Sequence, residues 1–194
     1  MEAMDLQPLL EELTGGDDEH AERAAKELAA RGEAALPVLT VLLASPDEDS
    51  RWWAVRALAE CSTPGAIAAL HQALDDPSQA VRQAALLGLR LRPAAESIPQ
   101  LAVLLEDSDS LCAAMAADVL VAQGSEAAVA ALIEVLQSGT FPAQVEAARA
   151  LAEIGDPRAI PALFAAGEHG SSLLDYWVTI GLEKMGVGTV YFKP

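Results

Sequence analysis

The side chains that most often perform catalysis or bind metals are scattered along this sequence. The histidines are His20, His71 and His169, and the cysteines are Cys61 and Cys112. No HxxH, HExxH or CxxC spacing links them, and no GxSxG, P-loop or GxGxxG motif occurs. A metal or acid–base site needs such groups to converge on one face of an element. We therefore expect a non-enzymatic protein with no catalytic residue, no metal site and no cofactor, and we expect both cysteines to be small buried core residues.

The aromatic residues are better candidates for a functional surface. Trp52 and Trp53 are adjacent, and much later in the chain Tyr176 and Trp177 form a second adjacent pair. Trp and Tyr supply large contact areas and dominate the hot spots of protein interfaces. These rings either line a binding groove or pack between neighbouring helices, and the sequence leaves both interpretations open.

Charged residues accompany these rings along the same predicted helix faces and give a mixed ridge of net negative charge. Such a ridge suits a protein segment with basic and apolar residues, or an extended tail, although an ordinary solvated helix face has the same composition. The predicted partner-binding residues are Trp52, Trp53, Arg56, Glu60, Met115, Asp118, Glu146, Arg149, Tyr176 and Trp177.

These candidates lie in a sequence that repeats at one constant spacing. One apolar series consists of Leu58, Leu89, Leu120 and Leu151. Two parallel series with the same spacing are Ile67, Ile98, Val129 and Ile160, and Leu70, Leu101, Leu132 and Leu163. The two aromatic pairs are four such periods apart and therefore occupy equivalent positions. Repeats with a period of about 20–50 residues predict a solenoid or an array of small units.

Each repeat contains two helical patterns joined by short turns. The first has proline in its first turn, as in SIPQLAVLLED (97–107), where the missing N–H costs nothing. The second places small residues on its apolar face, as at Ala54 and Ala57, which allows helices to pack closely. Turns such as SPDEDS (45–50) are rich in Asp, Ser and Pro, and short turns imply antiparallel neighbours.

The repeat therefore predicts an all-α fold of about six antiparallel helix pairs in a single domain, residues 1–194. The pairs are predicted at about 4–31, 33–61, 65–90, 95–123, 126–154 and 158–185. The tail GVGTVYFKP (186–194) is predicted to cap the open end of the last pair. Docking of this tail into a partner, or self-association through it, are the alternatives.

The acidic composition restricts the classes of partner. The formal net charge is −17 and the pI is near 4.3. Nucleic-acid affinity rests largely on Lys and Arg neutralising phosphates, so we expect no nucleic-acid partner. Anionic membrane surfaces are repelled in the same way. A protein partner that is basic fits the charge, while the alternative is that the acidity only keeps an Ala/Leu-rich chain in solution.

We expect no membrane insertion and a cytoplasmic location. No uninterrupted apolar run approaches the length of roughly 18 residues that a membrane-spanning helix needs. The first residues, MEAMDLQPLLEELTGG, lack the basic start of a signal peptide and carry several acidic residues. The sequence does not indicate an oligomeric state.

The repeat unit resembles HEAT-like repeats, of the short type associated with phycobilisome bilin lyases. The segments that carry the resemblance are ALDDPSQAVR (73–82), AVRQAALLGL (80–89) and QVEAARALAEIGDPRAIPAL (144–163). The resemblance implies a right-handed α-α superhelix in which the second helix of each pair lines the concave face. It also implies that an Arg opening the second helix pairs with an Asp of the preceding turn, here at Arg51 and Arg82 at most.

Two functions follow from this resemblance and from the aromatic positions. The leading hypothesis is a scaffold or adaptor that binds a protein partner through the concave face. The alternative is a bilin lyase-like subunit or a tetrapyrrole chaperone. In that case the chromophore would stack on Trp52, Trp53 or Trp177, and Arg56 or Arg149 would meet its propionates.

Overall fold

The predicted all-α fold of six helix pairs is confirmed. The structure is a computed structural model that describes residues 5–167 and 172–187, and within these ranges all regular secondary structure is helical. The first three pairs are α1 (Gln7–Leu13) with α2 (Asp18–Ala30), α3 (Leu36–Leu42) with α4 (Glu48–Glu60), and α5 (Pro64–Ala73) with α6 (Gln79–Leu91). The next three are α7 (Ile98–Leu104) with α8 (Ser110–Gln123), α9 (Glu126–Ser138) with α10 (Phe141–Ile154), and α11 (Ile160–Gly167) with α12 (Ser172–Lys184).

The helix pairs group into two compact units, unit 1 (Met1–Arg92) and unit 2 (Pro93–Pro194). In unit 1, α2 packs on α4 and α4 packs on α6. In unit 2, α8 packs on α10 and α10 packs on α12. The second helices of successive pairs are thus direct neighbours within each unit, and each also packs on its own first helix. The assignment of residues 1–194 to one domain stays a prediction.

Short polar residues and glycines place the helix ends. The Asp47 carboxylate accepts a 2.8 Å hydrogen bond from the Ser50 N–H at the start of α4, and Ser125 caps α9 in the same way. These side chains satisfy N–H groups that have no partner inside the helix. At the other end, α8 and α10 stop at Gly124 and Gly155, whose φ angles of 52° and 72° lie in the left-handed region that glycine adopts without strain.

The leucine series of the repeat forms the core. Leu58 and Leu89 in unit 1, and Leu120 and Leu151 in unit 2, are fully buried. Because they recur at the repeat spacing, each second helix presents an equivalent side chain to its neighbours.

Glycine allows two second helices to approach closely. A Cβ added at Gly88 of α6 would lie 2.9 Å from the Cβ of Ala59 and 3.0 Å from Cδ1 of Leu70. These distances are shorter than ordinary Cβ contacts, so the neighbouring helices would have to move. A glycine is therefore required where α6 crosses α4 and α5.

The arginine that opens α4 is bonded differently from what the HEAT resemblance implied. Arg51 pairs with Asp76 of the turn between α5 and α6, through Nε–Oδ2 and Nη2–Oδ1 distances of 2.8 and 3.0 Å. Its Nη1 donates to the Ser45 carbonyl of the preceding turn at 3.0 Å. Asp47, an aspartate of the preceding turn, accepts instead from the N–H and hydroxyl of Ser50. A guanidinium has several N–H donors, so some bind the backbone of the preceding turn while others bind the carboxylate in the next repeat.

Two sequence-based expectations concern residues outside the described ranges. The predicted capping tail spans 186–194, of which the structure describes only Gly186 and Val187. His169 also lies outside the described residues. Among the helices that are described, none has the length and apolarity needed to cross a bilayer.

Candidate functional site

Trp52 and Trp53 form a partly exposed aromatic pair on α4. Their ring centroids are 4.8 Å apart and the rings are nearly perpendicular, at 89°. Both side chains are half-buried, whereas Ala54 and Val55, the next residues of the helix, are completely buried. The rings therefore lie at the edge of the core, with part of each indole in solvent. Edge-to-face contact is a favourable arrangement for aromatic rings.

A cavity of about 600 Å³ lies beside these two rings in unit 1. It is bounded by the turn between α1 and α2, the first turns of α2, and the start of α4. We call it the tryptophan pocket. Its lining residues are Thr14, Gly16, Asp18, Glu22, Asp47, Asp49, Ser50, Trp52 and Trp53.

The carboxylates of the tryptophan pocket differ in how they are engaged. Hydrogen bonds from the Ser50 hydroxyl and N–H lower the pKa of Asp47 below its ordinary value. Glu22 accepts from Arg56 at 2.8 Å and from Lys26 at 3.1 Å. By contrast, Asp18 and Asp49 form no ion pair within the described part of the chain. The pocket therefore contains two carboxylates that are available to a ligand.

Arg56 connects α2 and α4 next to this pocket. Its guanidinium contacts Glu22 at 2.8 Å and Glu60 of its own helix at 2.6 Å. The hydrogen bond from Arg56 lowers the pKa of Glu60. The predicted ridge residues Arg56 and Glu60 therefore neutralise each other, and the guanidinium is already bound to carboxylates.

Arg149 has the same role in unit 2, at the equivalent position three repeats later. It contacts Asp118 of α8 at 2.9 Å, Glu146 at 2.8 Å and Glu153 at 3.5 Å. Burial lowers the pKa of Arg149, but hydrogen bonds to Glu146 and Asp118 outweigh this effect and leave the pKa above its ordinary value. Three predicted site residues, Asp118, Glu146 and Arg149, thus form one ion-pair cluster.

The second aromatic pair lies on α12. The rings of Tyr176 and Trp177 are 5.0 Å apart at 75°, close to the geometry of the Trp52–Trp53 pair. Tyr176 is 55% exposed, and Trp177 is half-buried. Met115, the remaining predicted residue, is half-buried on α8. The ten predicted residues are divided between the two units, and their grouping into one groove stays a prediction.

A second pocket, in unit 2, was not predicted from the sequence. It has a volume of about 520 Å³ and lies between the turns that precede α8 and α10. Phe141, which is 48% exposed, Leu173 and Val145 supply its apolar walls, and Glu106 and Glu146 its acidic rim. We call it the phenylalanine pocket. The feature of the sequence that could have indicated this pocket is Phe141, an aromatic residue at the first position of a second helix, followed by Pro142.

The two cysteines are core residues, as the sequence predicted. Cys61 and Cys112 are both completely buried, and burial raises the pKa of the Cys61 thiol. A reactive thiol instead needs an exposed, electropositive setting. Across residues 5–167 and 172–187 no group of three or more His, Cys, Asp or Glu side chains could hold a metal ion.

Family models identify the repeat. The model for HEAT repeats matches residues 6–90 and 67–143, and the model for the PBS lyase HEAT-like repeat matches residues 143–163. No curated protein matches the chain significantly.

Several solved structures share the fold. An engineered protein of the Northeast Structural Genomics Consortium is 28% identical, with 95% of this chain and 97% of that chain covered and a TM-score of 0.55. Human deoxyhypusine hydroxylase in complex with glycerol is 20% identical, with 93% and 73% covered and a TM-score of 0.54. A designed armadillo repeat protein in complex with the peptide (KR)4 is 20% identical, with 93% and 99% covered and a TM-score of 0.51. The last two likenesses show the fold alone, and together with the family models these findings establish that the chain belongs to the HEAT repeat family.

Proposed function

We propose that this protein is a non-enzymatic scaffold or adaptor that binds a protein partner through the exposed faces of its second helices. Stacked helix pairs present repeated side chains along one face, and this arrangement suits binding of extended segments. The HEAT resemblance assigns these helices to the concave side.

The observation that carries the proposal is the pair of edge-to-face aromatic contacts, Trp52–Trp53 and Tyr176–Trp177. Each pair lies on a second helix and is only partly covered by its own unit. Large, rigid aromatic rings bury much area and lose little conformational entropy when a partner covers them, so they are efficient anchors.

The charge of the second-helix faces favours a basic partner. Arg56 and Arg149 are held by carboxylates of their own unit, so they offer no free cation to an acidic ligand. The whole chain carries a formal charge of −17. The designed armadillo repeat protein solved with the peptide (KR)4 has the same fold, and the same chemistry of ligand fits the acidic surface here.

The tetrapyrrole alternative is not favoured. It requires Arg56 or Arg149 to meet propionates, yet both guanidiniums are already paired within their units. The PBS lyase HEAT-like model matches residues 143–163 only, which is a single repeat. A shared repeat does not transmit function.

The proposal is tested by selecting random dodecapeptides against the immobilised full chain. We expect enrichment of segments that combine basic and apolar residues, and weaker binding to the Trp53→Ala and Tyr176→Ala variants. Val41→Ser and Val103→Ser are matched controls, because these side chains are 73% and 72% exposed on the first helices α3 and α7. Failure to enrich any segment, or loss of binding only in the two valine variants, would contradict the proposal.

A further inference from the structure

We infer that the tryptophan pocket binds the side chain of an arginine in the partner segment. The inference rests on the proposed function and specifies which residue of the partner is recognised and where. It depends on three properties of the pocket: its size, its charge and its aromatic wall.

The size of the tryptophan pocket fits a side chain together with part of its backbone. Its volume of about 600 Å³ lies inside the range of about 300–1,000 Å³ that is usual for ligand sites. It opens to solvent between two turns, so a segment of chain can cross it while one side chain enters.

The charge of the pocket selects a cation. Four carboxylates line it, and no lysine or arginine is among its lining residues. The N-terminal ends of α2 and α4 oppose this, but each contributes only about half a positive charge. Arg56 and Lys26 compensate Glu22, but Asp18 and Asp49 have no ion-pair partner among the described residues. Their negative charges outweigh the two helix ends, so an anion such as a phosphate would be repelled.

The two free carboxylates line the same pocket. Asp18 is the first residue of α2 and Asp49 the second residue of α4, so both lie in the first turns of two neighbouring second helices. Glu22 is paired with Arg56 and Lys26, and Asp47 accepts from Ser50, so neither offers a free acceptor. A ligand with several donors in one plane can meet Asp18 and Asp49 without displacing these contacts.

The indole wall distinguishes arginine from other cations. A guanidinium stacks on an aromatic face and at the same time donates paired hydrogen bonds to a carboxylate, whereas an ammonium is a compact, strongly hydrated point charge. A bare metal ion would not use the rings, and the described residues contain no metal-binding cluster. Trp52 and Trp53 therefore favour a guanidinium.

The test uses the intrinsic fluorescence of the pocket. The chain has three tryptophans, so in the full-length Trp177→Phe variant all indole emission comes from Trp52 and Trp53. This variant is titrated with the blocked peptides (Gly-Arg)4, (Gly-Lys)4 and (Gly-citrulline)4, and the affinities are also measured by calorimetry. We expect a saturable fluorescence change with (Gly-Arg)4, binding at least about threefold weaker with (Gly-Lys)4, and no saturation with the neutral citrulline peptide.

Variants then locate the site. We expect Asp18→Asn together with Asp49→Asn to weaken (Gly-Arg)4 binding about tenfold and to reduce its salt dependence, because two attractive charges are lost. Glu134→Gln together with Glu183→Gln removes the same charge from exposed positions elsewhere and should change the affinity less than about twofold. Trp53→Phe keeps an aromatic filler at the core edge and should weaken binding about threefold.

Three results would overturn the inference: binding of the citrulline peptide with equal affinity, equal or tighter binding of (Gly-Lys)4, or an affinity for (Gly-Arg)4 that is unchanged by the two Asp→Asn substitutions. Loss of (Gly-Arg)4 binding in Tyr176→Ala but not in Trp53→Phe would also overturn it. That last result would leave the proposed scaffold function intact, since peptide selection tests that function without reference to this pocket.

Discussion

The two units have the same core at equivalent positions but different chemistry at their surfaces. Gly88 in unit 1 and Gly181 in unit 2 are three repeats apart, and each faces an alanine and a leucine of neighbouring helices. The exposed sites differ: unit 1 has an acidic pocket with two indoles, and unit 2 a pocket walled by Phe141 and Leu173. Close packing restricts every residue inside the helix contacts. Positions that face solvent are free of this restriction and can diverge between repeats.

Truncation of a core leucine gives the largest expected effect and tests whether the two cores are equivalent. Leu58→Ala in unit 1 and Leu151→Ala in unit 2 each remove a fully buried side chain. Each should lower the free energy of unfolding by about 2–5 kcal/mol, because a cavity remains. Urea unfolding followed by circular dichroism measures this. A loss below about 1 kcal/mol at one of the two positions would show that the cores are not equivalent.

Arg51→Gln places in unit 1 the residue that unit 2 has at the equivalent position, Gln144. Asp76, whose side chain is 8% exposed, would lose its bidentate partner. We expect a loss of about 2–4 kcal/mol, since an unpaired, largely buried carboxylate is costly. Arg51→Gln combined with Asp76→Asn should recover part of this loss in the same unfolding measurement. No recovery in the double variant would indicate that Arg51 acts mainly through the Ser45 carbonyl.

Adding a methyl group at the two glycines sharpens the comparison of helix distances. A Cβ at Gly88 would lie 2.9 Å from Ala59, whereas a Cβ at Gly181 would lie 3.1 Å from its nearest neighbour, Leu163. Gly88→Ala should therefore cost about 1–3 kcal/mol through overpacking. Gly181→Ala should cost less, because a smaller shift relieves the contact. Thermal melting of the two variants checks the order, and a larger loss at Gly181 would contradict it.

The smallest expected effect is an acid sensitivity at a turn of unit 2 whose counterpart in unit 1 has no carboxylate. Hydrogen bonds from the side chain and backbone of Arg158 lower the pKa of Asp156 to about 2, from an ordinary value of 3.8. The stabilisation is thus fully present above the ordinary pKa and is lost as the pH falls toward 2. The equivalent residue of unit 1, Thr63, does not titrate. Asp156→Asn should flatten the dependence of Tm on pH between about 4 and 2, and an unchanged slope would contradict this assignment.

Much of the fold could be predicted because the repeat is a property of the core. Leu58, Leu89, Leu120 and Leu151 recur at one spacing, since each must fill the same space between helices. The helix ends could be predicted for a different, local reason. Asp47 accepts from a free N–H at the start of α4, and Gly155 adopts the left-handed conformation that ends α10. The resemblance implied an Asp of the preceding turn as the partner of Arg51, and this was wrong, because the guanidinium pairs with Asp76 of the next repeat. A contact between repeats depends on how the helix pairs pack, which the local sequence does not specify.

The candidate site could be predicted only in part. The aromatic pairs stood out because Trp52 and Tyr176 share a repeat position, and their partial exposure agrees with a position beside the core stripe. The pocket acids did not stand out, because Asp18 and Asp49 are two of several acidic residues in the first turns of α2 and α4. Acidic residues in a first turn are common because they favour the helix dipole. The presence of Asp18 and Asp49 in first turns therefore did not distinguish a ligand site from the ordinary preference of helix N-termini for acidic residues.

The sequence by itself determined that the chain forms repeated helix pairs, which side chains are buried, and where most helices start and stop. These properties depend on neighbours within about one repeat, so a local pattern is sufficient to encode them. The tertiary structure decided which charges are neutralised and which remain free. Arg56 and Glu22, and likewise Arg149 and Asp118, come from different helix pairs, and their pairing depends on side-chain reach between packed helices. It also decided that four carboxylates and two indoles line one cavity, because a cavity is formed only when separate helices and turns come together.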